Sequence, residues 1–143
     1  MEHTDSSPIT VTASINAPID KVWEYYNDPS HITKWAFADD SWEAPHAEND
    51  LKEGGRFKTA MAAKDKSAQF DFTGTYTKVV GNELIEYTMD GDDKRKVSIH
   101  FAPEGNTVKI SVTFDIEHEN PREMQQQGWQ GILNNFKKHV EEN

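Results

Sequence analysis

From Phe57 to Ile116, apolar side chains recur at every second residue in one segment after another, with short turns between the segments. Such alternation marks strands that bury one face, and short connections make neighbouring strands antiparallel. Phe57, Thr59, Met61 and Ala63 share one face, as do Phe70, Phe72, Gly74 and Tyr76. Ile85, Tyr87 and Met89 follow, then Val97, Ile99 and Phe101, then Val108, Ile110, Val112, Phe114 and Ile116. Gly54-Gly55, Gly81-Asn82, Asp90 to Asp93 and Pro103 to Asn106 supply the turns. Upstream, Trp42, Ala44 and His46 are expected on one face of a short strand, and Ile9, Val11, Ala13 and Ile15 on one face of the first.

Two helical segments separate those early strands. Pro18 suits a first turn, and Ile19, Val22, Trp23 and Tyr26 follow at helical spacing. Asp28 then caps, and Pro29 opens, a second short helix reaching Ile32 and Trp35. A long helix ends the chain. Asn120 is its expected cap, Pro121 its first turn and Glu123 the partner in a capping box. Met124, Gly128, Trp129, Ile132, Leu133, Phe136 and Val140 form its apolar stripe. About 20 residues of helix span roughly 30 Å, enough to cross a sheet.

The order predicts an α+β fold in which a curved antiparallel sheet of about seven strands wraps a long C-terminal helix. Residues 1–8 are expected to form a flexible tail and 9–143 a single domain. The inner face carries Phe57, Met61, Phe70, Phe72, Tyr76, Tyr87, Met89, Ile99, Phe101 and Phe114. Gly128 faces it from the helix, at about 1 kcal/mol relative to alanine. Close packing or open space beside the helix would explain that glycine. The pattern alone is satisfied by a solid core as well as by a cavity.

Composition narrows the function classes. With 15 Lys+Arg against 25 Asp+Glu, the formal charge is −10. Such a surface repels phosphate backbones and anionic lipid, so no nucleic-acid partner is expected. No apolar run reaches the roughly 18 residues of a membrane helix, so no membrane insertion is expected. The polar start lacks the pattern of an export signal, and a cytoplasmic location is expected. The chain has no cysteine, which removes disulfides, thiolate metal sites and thiol catalysis. Its six histidines are scattered without metal-ligand spacing, and no nucleophile, phosphate-loop or dinucleotide motif is present. No cofactor and no metal are expected. Inward-facing polar residues that could serve as acid or base are His46, Thr59, Tyr76 and Tyr87, with His46 the first to suspect.

Ile15-Asn16-Ala17-Pro18 with Val22-Trp23, then Asp28-Pro29, Ile32 and Trp35, resembles the opening of the START-like superfamily, also called SRPBCC. Gly54-Gly55-x-Phe57, Phe72-x-Gly74-x-Tyr76-x-x-Val79 and Gly128-Trp129 with Leu133 resemble one branch of it. That branch is named after the C-terminal domain of the activator of the ninety-kilodalton heat-shock protein ATPase. The resemblance covers residues 9–141. It implies a helix-grip fold with a deep cavity, and a function in binding an apolar small molecule such as a lipid, sterol or polyketide. The residues so implied as ligand-binding are Trp35, Trp42, Phe57, Met61, Phe70 and Phe72. Tyr76, Tyr87, Met89, Ile99, Phe101 and Phe114 join them from the later strands, and Gly128, Trp129, Ile132 and Leu133 from the helix. No catalytic residue is assigned. The alternatives are a polyketide cyclase-like enzyme and a stress-related module with a chaperone partner. The loop 36–41 and the turn 90–93 are the expected gates.

Overall fold

The computed structural model describes residues 7–91 and 94–143. Most of the expected tail, and Asp92 and Asp93 of the acidic turn, lie outside the described residues. The chain runs β1 (Ile9–Ile15), α1 (Ile19–Asn27), α2 (Pro29–Ile32), β2 (Trp42–Asn49), β3 (Arg56–Ala63) and β4 (Gln69–Val80). It continues through β5 (Leu84–Met89), β6 (Lys96–Glu104), β7 (Thr107–Phe114) and α3 (Arg122–Glu142).

All seven strands form one antiparallel sheet in the order β1-β7-β6-β5-β4-β3-β2. Strands β2 to β7 are the predicted meander. β1 returns to pair with β7, from Ile9 opposite Phe114 to Ile15 opposite Val108. The first two strands in sequence therefore sit at opposite edges of the sheet. α1 and α2 carry the chain between them across the concave side. This is the α+β helix-grip arrangement.

The start of α2 follows local chemistry, whereas Pro18 is the N-cap of α1 rather than part of its first turn. Asp28 Oδ1 accepts from the Ser30 amide at 2.9 Å, and Pro29 occupies the first turn of α2, as its sequence predicts. α3 differs from expectation. Its N-cap is Pro121, with no side-chain cap, so Asn120 is not the cap. Instead Gln125 reaches back from the first turns, donating to the carbonyls of Asn120 (2.9 Å) and Glu117 (3.0 Å). Glu117 Oε1 accepts from the Asn120 amide at 2.7 Å. The apolar stripe also begins later than predicted: Met124 is 57% exposed, while Leu133, Phe136 and Val140 are buried.

The densest core lies under α3. Phe136 and Val140 of α3, like Ile15 of β1 and Val108 and Ile110 of β7, are buried with essentially no exposure. Trp129 lies flat on Phe114, with ring centroids 4.3 Å apart and 13° between planes. On the far edge, β2 carries a register shift between Glu43 and His46. Two residues of the bulged strand oppose one, and the parity changes. Ala44 and Ala47 point inward, and His46 points out. The expected face Trp42-Ala44-His46 is corrected accordingly.

The helix glycine that matters is also not the predicted one. A Cβ on Gly128 would meet nothing within 4 Å. A Cβ on Gly131 would come 2.7 Å from the backbone oxygen of Ala38. Gly131 lets the 36–41 loop press against α3, where Asn135 Nδ2 also donates to the Phe37 carbonyl. Gly131→Ala is expected to destabilise the protein by about 1–3 kcal/mol through overpacking against backbone. Gly128→Ala should stabilise it by up to about 1 kcal/mol through helix propensity. Urea unfolding of both variants reads the two signs.

Candidate functional site

The concave face does not close completely on α3. Between the middle of the sheet and the helices lies a cavity of about 100 Å³. Its floor is Phe57, Thr59, Met61, Phe72, Tyr76, Ile85 and Tyr87, projecting from β3, β4 and β5. Ile99 and Val112 continue the floor, and Tyr26, Ile32, Trp35 and Ala36 close one wall. Trp129, Ile132 and Leu133 form the roof.

The floor is an aromatic cluster held by edge-to-face and tilted contacts. Phe57 lies 4.7 Å from Tyr87, 5.3 Å from Tyr76 and 5.4 Å from Phe72, centroid to centroid. Phe72 reaches up to Trp129 at 6.1 Å. Gly74 makes room for this packing. A Cβ there would stand 2.7 Å from the Phe57 ring and 2.7 Å from the Thr88 carbonyl. On the opposite wall, Tyr26 packs on Trp35 (4.9 Å) and Phe136 (5.0 Å), and Trp35 Nε1 donates to the Tyr25 carbonyl at 2.9 Å.

Polar groups gather at one end. Tyr76 donates its hydroxyl to Asn49 Oδ1 at 2.5 Å, and Asn49 Nδ2 donates to the Asn27 carbonyl at 2.8 Å. This chain ties β4 to the end of β2 and to the end of α1. Asn27 and Glu48 line the cavity beside it. Burial pushes the Tyr76 phenol well above its ordinary value, against the opposing pull of the Asn49 hydrogen bond. Burial, then the neighbouring Tyr76, raises Tyr26. Burial, then Tyr26 and Tyr76, raises Tyr87. All three phenols are therefore protonated donors across the neutral range.

Of the residues expected to bind ligand, Trp35, Phe57, Met61, Phe72, Tyr76, Tyr87, Ile99, Trp129, Ile132 and Leu133 line this cavity. The others do not. Phe101 is buried beside Trp23 and Tyr26 (5.1 and 5.5 Å), and Phe114 is covered by Trp129. Met89 fills the core at the end of β5. Trp42 and Phe70 meet edge to face at 5.9 Å on the sheet margin, where Phe70 is 51% exposed although its parity matches Phe72. Gly128 opens onto an outer groove beside Arg95 and Met124. His46, the suspected acid or base, pairs with Glu48 at 2.8 Å on the surface.

Sequence reasoning missed Tyr26, Asn27, Ile32, Ala36, Glu48, Asn49, Ile85 and Val112 as lining residues. Tyr26 and Ile32 lay on recognised helical stripes, and Ile85 and Val112 on recognised strand faces. Asn49 carried no signal, because its role depends on a contact across the fold.

A second polar cluster sits outside the cavity. His31 Nδ1 and His139 Nε2 lie 2.9 Å apart, and His31 stacks on Tyr25 at 3.8 Å. Burial, then His31, Lys34 and Lys21, pushes His139 below its ordinary value. Among the described residues no group of three or more potential metal ligands forms.

Two measurements follow from this electrostatics. Tyr26, Tyr76 and Tyr87 should add no tyrosinate absorbance at about pH 10.5, above the ordinary tyrosine value near 10, while the fold persists. Replacing each by Phe should leave the amplitude there unchanged. Raised phenol values stabilise the fold fully below that ordinary value and less as pH climbs toward the folded ones. His139 has the opposite sign. Its contribution is complete above the ordinary histidine value of about 6.5 and is lost as pH falls through the lower folded one. His139→Asn should flatten the loss of denaturation midpoint on acidification relative to the parent chain.

Comparisons with known proteins agree with this architecture. A solution structure from Cytophaga hutchinsonii is 54% identical, with a TM-score of 0.80, covering 95% of this chain and 93% of that one. The AHSA1-like protein from Aeromonas hydrophila is 42% identical, with a TM-score of 0.83 over 94% and 93% of the two chains. A crystal structure from Chromobacterium violaceum is 27% identical, with a TM-score of 0.85 over 94% and 97%. No curated protein matches the chain. The family described as Activator of Hsp90 ATPase homolog 1-like protein matches residues 16–141, and the chain belongs to that family.

Proposed function

We propose that the protein binds an apolar small molecule in the cavity between sheet and C-terminal helix. The observation that carries this reading is the cavity itself, in a core where Phe136, Val140 and Ile110 are packed without exposure. An unfilled apolar space costs stability in proportion to its volume. The lining is what small-molecule sites require: mostly apolar walls with a few polar groups at one end.

The size limits the occupant. An engineered apolar cavity of about 150 Å³ takes benzene. At about 100 Å³ this one takes a single small ring with modest outward movement of its walls. A larger ligand has somewhere to go. An outer groove of about 180 Å³, lined by Phe37, Trp42 and Phe70, shares Ala36, Met61 and Ile132 with the cavity. Met61 is half-buried, unbranched and flexible, and is the wall most easily displaced.

Binding is favoured over catalysis by two observations. His46 faces solvent with Glu48, so it supplies no base inside. The cavity phenols hold their protons, which suits recognition rather than proton abstraction.

Amide NMR titration with small aromatic hydrocarbons should shift the resonances of the lining strands and of Trp129 to Leu133. Val112→Phe projects a ring into the cavity. It should keep the fold and weaken binding at least about tenfold, or ~1.4 kcal/mol. Phe70→Ser, outside the cavity, should leave affinity unchanged. Unchanged affinity in a folded Val112→Phe protein rules the cavity out as the site.

A further inference from the structure

Among the described residues β1 has no strand on its outer side. Its sequence, Ile9-Thr10-Val11-Thr12-Ala13-Ser14-Ile15, carries no charge and no proline. It pairs with β7 over seven consecutive positions without a register shift. Such a segment has high strand propensity, and nothing in it repels or distorts an incoming strand.

Side chains of α3 occupy that outer side instead. Along a strand in an antiparallel sheet, successive residues turn their backbone groups to one neighbour and then the other. In β1 the even-numbered residues turn outward. Gln130 Nε2 donates to the Thr12 carbonyl at 3.0 Å and Lys137 Nζ to the Ser14 carbonyl at 2.7 Å, and Glu141 Oε2 accepts from the Asn16 amide at 2.8 Å. Arg122 donates to the carbonyls of Ser7 and Pro8 just before the strand. Asn134 and Glu141 hold the two donors in place, accepting from Gln130 at 3.0 Å and from Lys137 at 2.5 Å. Gln130, Asn134, Lys137 and Glu141 are spaced four, three and four apart, so they form one polar face of the helix. Water would satisfy exposed carbonyls as well, and ordering a lysine and a glutamine costs side-chain entropy. What these side chains do that water does not is stand where a further strand would pair.

We propose that the outer side of β1 is a pairing surface for a second copy of this chain, and that the polar face of α3 masks it and keeps the protein monomeric. The strand itself specifies that occupant. Two copies of β1 set antiparallel about Thr12 put Thr12 opposite Thr12 and Thr10 opposite Ser14. Every outward-turned residue then meets another, all small and uncharged, across a twofold axis. The two sheets join as one by main-chain hydrogen bonds. This surface is separate from the cavity and does not depend on what the cavity holds.

Replacing Gln130, Lys137 and Glu141 together by alanine removes the mask with a residue that favours helix. Analytical ultracentrifugation should show the parent chain as a monomer up to the concentration of an NMR sample, and the triple variant as a concentration-dependent dimer. Amide exchange at Thr10, Thr12 and Ser14 should slow in that dimer. Adding Thr12→Pro, which removes an outward amide proton and no bond to β7, should return the triple variant to monomer. A folded triple variant that stays monomeric overturns the proposal, as does a parent chain that is already a dimer. A dimer in which those three amides still exchange fast, or one that survives Thr12→Pro, uses another surface and overturns the assignment to β1. Growth beyond the dimer overturns the twofold pairing. If the triple variant does not fold, Gln130→Ala with Lys137→Ala, which leaves Glu141 on the Asn16 amide, carries the same expectations and the same refutations.

Discussion

The structure depends on where α3 is anchored. Its packing is concentrated on β1, at one edge of the sheet, with Trp129 stacked on Phe114 of β7 beside it. Flat stacking at 4.3 Å holds the helix close to that side. On the other side, β3, β4 and β5 curve away, and only long side chains can bridge the space. Phe72 reaching to Trp129 at 6.1 Å is such a bridge. A helix that is tight on one half of a curved sheet leaves a wedge over the other half. The cavity is that wedge, trimmed by aromatic rings.

The wall opposite α3 is set by topology. Because β1 and β2 lie at opposite edges, the connection must cross the open side, and α1 and α2 are that crossing. Their placement brings Tyr26 and Trp35 against Phe136 and puts the end of α1 beside the end of β2. The Tyr76–Asn49–Asn27 chain fastens this corner with two short hydrogen bonds. In a low-dielectric interior such bonds are strong, and the same dielectric keeps the nearby phenols neutral. One end of the cavity is thus polar, with neutral phenols and amides inside and the Glu48 carboxylate at its margin.

The strands, their meander and the two short helices were legible because each is dictated by local periodicity and turn chemistry. What the sequence hid was tertiary in origin. The inward parity of β2 broke at a bulge between Glu43 and His46, which no alternation of residues announces. Gly128 and Gly131 look alike in sequence, and only the approach of the Ala38 carbonyl distinguishes them. Phe70 has the right parity but stands half exposed against Trp42, so parity alone put it in the cavity. His31 and His139 are 108 residues apart, and their 2.9 Å contact comes from α2 docking beside the end of α3. Half of a site built from strand faces is readable; the half built from where helices land is not.

The bulge in β2 has a consequence beyond the misdirected histidine. β2 is a free edge of the sheet, and an unpaired edge is a template on which another chain can add a strand. This edge is poorly suited to that. Pro45 sits within the irregular stretch and offers no amide proton, and Glu43 and Glu48 place like charges along the strand. Distortion, a missing donor and repulsion act together at the one margin where the meander stops. The strand that bounds the cavity is therefore also the protein's guard against joining its sheet to a neighbour's.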